Sequence, residues 1–280
     1  MSWPASNNGN QKPQVGVNLN ADVIFSFPQD PPNLIIICGP CRVGTTALSK
    51  VFTDLRIKAH MQPIKSYLRA RASNQEITPC RLDNQGFAVI KETFGTELNC
   101  EFFNPLEIML RHGYPKKKLL LIPMVRLPQQ TWASWKRMWP QAKIGQLLKA
   151  FRLTWEIKAQ AEDLGIATIP YIHELIRDYQ SDWVIQRLVA MLGISFQSVS
   201  SAMTEQWEGL KSSKNIYFYD DPPDKFISGI QERGKYEYRD LDFSQAQEEA
   251  VNSVPELITI YEDFHQSAVQ HFFPSPLAVS

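Results

Sequence analysis

The sequence has no surplus of charge: twenty-nine basic residues face twenty-nine acidic ones over 280 positions. A chain without an overall field offers nucleic acid or an anionic membrane no long-range attraction, so any anion site has to be built locally. It also lacks an apolar run of about 18 residues and a basic-then-apolar leader, so neither a membrane partner nor a secreted form is expected. A cytoplasmic protein with reduced thiols is the expectation. Cysteine is scarce, at four positions. Cys38 and Cys41 form a C-x-x-C, but no second pair follows, and Cys80 and Cys100 stand alone, a pattern that argues against a zinc or redox centre. Repeats, low-complexity tracts and clear linkers are missing too. The expectation is a polar, aperiodic tail over residues 1–20 and one domain over 21–280.

What is present begins with strands that alternate with helices. Asn33-Leu-Ile-Ile-Ile-Cys38 is an unalternating apolar run of the kind found in strands buried on both faces. A turn over Gly39–Gly44 follows, and then Ala47, Leu48, Val51, Phe52 and Leu55 recur at helical spacing. Further strands are expected at Ala21–Phe27, Phe87–Ile90, Lys118–Ile122 and Ala167–Ile172. Helices are expected over Thr131–Trp139, Lys143–Leu164 and from Ser181 to Gly193, with two more broken near Pro255. This order predicts a parallel sheet covered by helices on both sides.

The absence with the most to say lies in the first turn. Gly39 and Gly44 keep the spacing of the phosphate loop G-x-x-x-x-G-K-[ST], in which lysine reaches the terminal phosphates and the hydroxyl holds Mg²⁺. Here Thr45 stands at the lysine position and the cation has moved forward to Arg42. The strong strand ending at Val125 carries no carboxylate at its end; Arg126 follows instead. Two arginines with no metal carboxylate suit an anionic donor held without Mg²⁺. Ser134 lies eight positions after Arg126, two turns into the next helix. A strand-end side chain and one at that depth in the following helix can converge on one phosphate.

Gly39-Pro40-Cys41-Arg42-Val43-Gly44-Thr45-Thr46 resembles the 5′-phosphosulfate loop of the PAPS-dependent sulfotransferases, usually G-x-P-R-S-G-T-[TS]. Val43 stands where serine is commoner, and Pro40-Cys41 replaces x-Pro. Arg126 with Ser134 is similar to that family's 3′-phosphate signature. The resemblance implies a P-loop-containing α/β fold and 3′-phosphoadenosine 5′-phosphosulfate (PAPS) as donor. It further implies adenosine 3′,5′-bisphosphate as product and a small-molecule hydroxyl or amine as acceptor. It would set Tyr171 towards the adenine and Arg233, Gly234 and Lys235 towards the 3′-phosphate. Two alternatives stay open: a nucleotide kinase or hydrolase, and a non-catalytic module on the same fold.

Transfer to a hydroxyl needs a base near the attacking oxygen. Glu92 is the candidate, expected just beyond the strand Phe87–Ile90, with Lys91 beside it to stabilise developing charge. His60, after the first helix, is its rival. Trp132, Trp135 and Trp139 share a helical face and read as packing.

Overall fold

The computed structural model describes residues 24–76, 78–82, 86–95, 98–194, 214–220 and 236–274. Its centre is a parallel sheet of seven strands. In chain order they are β2 (Asn33–Pro40), β3 (Lys58–Met61), β5 (Phe87–Phe94), β6 (Leu119–Val125), β7 (Ala167–Thr168), β8 (Tyr171–Ile172) and β9 (Ile216–Phe218). Across the sheet the order is β7-β6-β2-β5-β3-β9, with β8 pairing β6 beyond β7. A separate parallel pair joins β1 (Phe25–Ser26) to β4 (Cys80–Arg81).

β2 sits in the middle, flanked by β5 and β6, which accounts for its unbroken apolar run. Leu34, Ile35, Ile36, Ile37 and Cys38 are all fully buried. With helices over both faces, each position of a central parallel strand meets a side chain, so alternation has no value there. The helix α1 (Thr45–Asp54) packs on β3 and β5, while α5 (Ile144–Asp163) packs on β6 and β2. Three shorter helices precede α5: α2 (Pro63–Ala72), α3 (Pro105–Arg111) and α4 (Pro128–Met138). Among the described residues, α6 (Leu175–Asp178), α7 (Ser181–Met191), α8 (Gln245–Asn252) and α9 (Pro255–Phe272) follow. The break between the last two falls at Pro255, as the sequence predicts.

Several boundaries differ from expectation. β5 runs on to Phe94, so Lys91, Glu92 and Thr93 belong to the strand and not to a loop beyond it. Both neighbours extend the ladder: Gln62 donates to the Lys91 carbonyl at 2.7 Å, and Gly39 is paired with Thr93. The helix α4 starts at Pro128 rather than Thr131, using proline where no amide is required. The strand expected over 167–172 is split in two around Ile169-Pro170. Gln180, not Ser181, is the residue preceding α7. The expected tail over residues 1–20 lies outside the described residues.

Candidate functional site

The C-terminal edge of β2, β5 and β6 is where an open parallel sheet presents its ligands. β2 turns there into residues 41–44, and two of these take left-handed backbone angles, Arg42 at φ 73° and Gly44 at φ 97°. Alternation of handedness over adjacent residues builds a concavity of backbone N–H groups that suits an anion. Gly44 precedes α1 with no side-chain cap, so the first-turn amides of that helix are left to something else. Glycine is required at this position for a second reason. A Cβ on Gly44 would sit 2.7 Å from Nδ1 of His173 and 3.1 Å from Cε of Met124.

Two flanks meet at this loop. On the β6 side, Arg42 Nε donates to Ser134 Oγ at 3.0 Å. Positions 92 apart in sequence are thereby joined, loop to helix α4. Arg126 follows β6 directly and is buried. Its guanidinium donates to Gln130 Oε1 at 3.1 Å and to the carbonyl of Arg239, and it lies 4.9 Å from the ring centre of Tyr238. Its Nε is enclosed and has no hydrogen-bond partner among the described residues. The short segment Tyr236–Leu241 crosses over this place. The Leu241 amide donates to Gln130 Oε1 at 2.8 Å, and Gln130 Nε2 returns a bond to the Leu241 carbonyl at 3.2 Å.

On the β5 side, the Cys41 thiol donates to Thr93 Oγ1 at 3.3 Å and the Gly95 carbonyl at 3.1 Å. Trp135 Nε1 holds the Cys41 carbonyl at 2.7 Å. Lys91 is buried on this flank, and desolvation, helped by the nearby Lys65 charge, pushes its ammonium down to about 8.

Glu92 occupies a different place from the one expected for a base. It is fully buried, and its two oxygens accept from the amides of Ile64 at 2.7 Å and Lys65 at 3.3 Å. Those amides open α2, whose preceding residue Gln62 provides no cap. The carboxyl group therefore does the capping, from a strand 28 residues away. Burial outweighs both amide donors and pushes the carboxyl up to about 8. The sign follows. A folded-state value above the ordinary one adds stability in acid, which is lost as pH rises towards and through 8. Glu92→Gln keeps an amide acceptor but cannot ionise. Thermal melts at about pH 6 and about pH 8.5 are expected to show a smaller loss in the variant than in the parent chain. An equal loss in both would place the ionisation elsewhere.

His60 lies in β3, beyond β5 from the loop, with Nδ1 2.6 Å from Tyr219 Oη and its ring stacked on Tyr217 at 5.0 Å. Tyr171 is fully buried; its hydroxyl meets that of Tyr236 at 3.1 Å and its ring packs edge-on against Phe272. Pro40 closes β2, Val43 is fully buried, and Thr45 is nearly so. Thr46 is half-buried in the first turn of α1. Arg233, Gly234 and Lys235 lie outside the described residues.

The structure adds two residues that the sequence did not single out for this site. His173 lies against Gly44 and donates its amide to the Val125 carbonyl at 3.0 Å. Glu174, fully buried, accepts from the Leu127 amide at 3.0 Å, Tyr238 Oη at 3.1 Å and Tyr261 Oη at 3.3 Å. It thus fixes the turn that carries Arg126 into α4, and burial raises its carboxyl. Their only signal in sequence is position, directly after the strand pair of β6.

No protein-family model and no curated protein matches the chain. Among solved structures it is similar to a mouse sulfotransferase crystallised with PAP, at 13% identity and a TM-score of 0.41, over 86% of this chain and 91% of that one. A likeness at that level carries no functional argument, which rests on the residues. Among the described residues no helix is long and apolar enough to cross a membrane.

Proposed function

We propose that this chain is a sulfotransferase that moves a sulfuryl group from PAPS to a hydroxyl or amine of a small-molecule acceptor. The observation that carries the reading is the 3.0 Å bond from Arg42 Nε to Ser134 Oγ. It joins the two halves that sequence alone could only set side by side, the loop after β2 and the Arg126–Ser134 pair after β6. The residues fit a nucleotide with an anionic group at each of two ends. The loop offers left-handed turns and an uncapped helix start, and Arg126 holds a buried Nε with no partner among the described residues.

When bound, the donor supplies the activated sulfuryl group. In this reading residues 39–46 hold the 5′ end through loop amides, Arg42 and the α1 N-terminus. Arg126 and Ser134 hold the 3′-phosphate through charge-assisted hydrogen bonds. Lys91, on the β5 flank of the loop, balances charge that develops on the oxygens leaving and entering sulfur. Catalysis then rests on positioning and electrostatics, much as in phosphoryl transfer. Glu92 serves as a positioning residue under α2, since its two oxygens are already committed to that helix.

The test is calorimetric. Adenosine 3′,5′-bisphosphate is expected to bind well without metal, and ATP weakly with or without Mg²⁺, because Thr45 replaces the loop lysine. Tighter, Mg²⁺-dependent ATP binding would turn the reading into a nucleotide kinase or hydrolase. Release of the bisphosphate from PAPS only in the presence of simple phenols or amines separates an enzyme from a binding module.

A further inference from the structure

The β5 flank holds a second buried cation that the reading above does not use. Lys65, in the first turn of α2, is 2% exposed. Its Nζ donates to the Gly95 carbonyl at 2.7 Å, approaches Cys41 Sγ at 3.6 Å and pairs with Glu101 Oε2 at 3.2 Å. The Glu101 carboxylate is shared with Arg69, whose Nε reaches Oε1 at 2.9 Å. Charge from Lys65 and Arg69 keeps that carboxyl below its ordinary value despite burial. A lysine so placed is anchored at both ends, by its amide to Glu92 and by its ammonium to the end of β5.

The loop is consequently held by different groups on its two flanks. Arg42 ties it to α4 and the Arg126 side, while Cys41 ties it to Thr93, Gly95 and Lys65. Thr93 in turn donates to Gln62, the residue preceding α2. If Arg126 and Ser134 take the 3′-phosphate, the opposite flank is where the sulfuryl end and the acceptor have to meet.

We infer that Lys65 is a positioning residue for group transfer, holding Cys41 of the loop and its own buried charge at the sulfuryl end of the donor. The inference rests on the sulfotransferase reading. Because it acts on the group that PAPS has and the bisphosphate lacks, it separates the two ligands. A merely structural lysine would not.

Calorimetry with PAPS and with adenosine 3′,5′-bisphosphate, in the absence of acceptor, tests it. Lys65→Met is expected to weaken PAPS by about tenfold while leaving the bisphosphate within two- to threefold. Lys65→Arg, which keeps the charge, and Glu101→Gln, which breaks the same ion pair but keeps Lys65, are both expected to retain the parent's ratio of the two affinities. If Lys65→Met melts below the assay temperature, Lys65→Gln, which also removes the charge but keeps a polar end for the Gly95 carbonyl, carries the test with the same expectation. Equal weakening of both ligands in Lys65→Met, or a changed ratio in Glu101→Gln, would overturn the inference. If the parent chain binds neither ligand, the sulfotransferase reading itself fails.

Discussion

Arg126→Ala is expected to weaken adenosine 3′,5′-bisphosphate by about ten- to a hundredfold, the range of about 1.5–3 kcal/mol that a hydrogen bond to a charged group supplies. The cause lies in where the guanidinium stands. It follows the last residue of a central strand, is almost fully enclosed, and keeps one nitrogen without a partner among the described residues. Leaving a buried donor unsatisfied costs about 1–3 kcal/mol, a cost the fold bears most readily where a ligand removes it. One other nitrogen, Nη2, donates to both Gln130 and the Arg239 carbonyl, so the substitution also loosens the segment Tyr236–Leu241. Gln130→Ala separates the two effects. It breaks the paired bonds to Leu241 and one bond to Arg126, yet keeps the guanidinium itself and its bond to the Arg239 carbonyl. A loss of affinity confined to Arg126→Ala supports the phosphate role. Equal losses would assign the effect to the segment, and unchanged affinity in Arg126→Ala would show the 3′-phosphate to be misplaced.

How far this site could be read in sequence depended on how local its causes are. The strand–loop–helix order was legible because a buried strand, two glycines and a helical stripe stand within the 23 residues from Asn33 to Leu55, each with its own physical signature. The placing of Arg126 at a strand end and Ser134 within the next helix was legible for the same reason, since one proline turn separates the two elements. Glu92 was expected just beyond a strand, open to an acceptor, because the apolar run stops at Ile90 while the strand itself continues to Phe94. Its true partners are the amides of Ile64 and Lys65, on a helix whose periodicity is weak and whose start has no capping residue of its own. Lys65 and Glu101 were invisible for a related reason. Each looks like a surface charge until the fold brings them within 3.2 Å of one another in the interior. His173 and Glu174 depend on β8 lying beside the end of β6, a pairing of only two residues that no pattern announces.

Gly39→Ala is expected to destabilise the fold by about 3 kcal/mol or more, the upper end of what overpacking a well-filled interior costs. Gly39 lies in β2, paired with Thr93 of β5 on one side. On the other side, a Cβ there would run into the backbone carbonyl of Met124 in β6. A side chain in the way can rotate; a carbonyl within a ladder cannot, unless the strands part. Parting β2 from β6 would separate the two edges that bring Arg42 to Ser134, so stability and donor binding should fall together. Backbone freedom is not the cause, since Gly39 is absent from the glycines with positive φ. The comparison is Gly145→Ala, at the second residue of α5, where nothing lies within 4 Å of the new Cβ and φ is ordinary. Replacing that glycine should stabilise by about 0.5–1 kcal/mol, because alanine loses less freedom on entering a helix. Urea melts of the two variants against the parent chain give the measurement. Opposite shifts support close strand approach as the reason for glycine at 39; a shift of under about 1 kcal/mol in Gly39→Ala would mean that β2 and β6 have room to separate at the site.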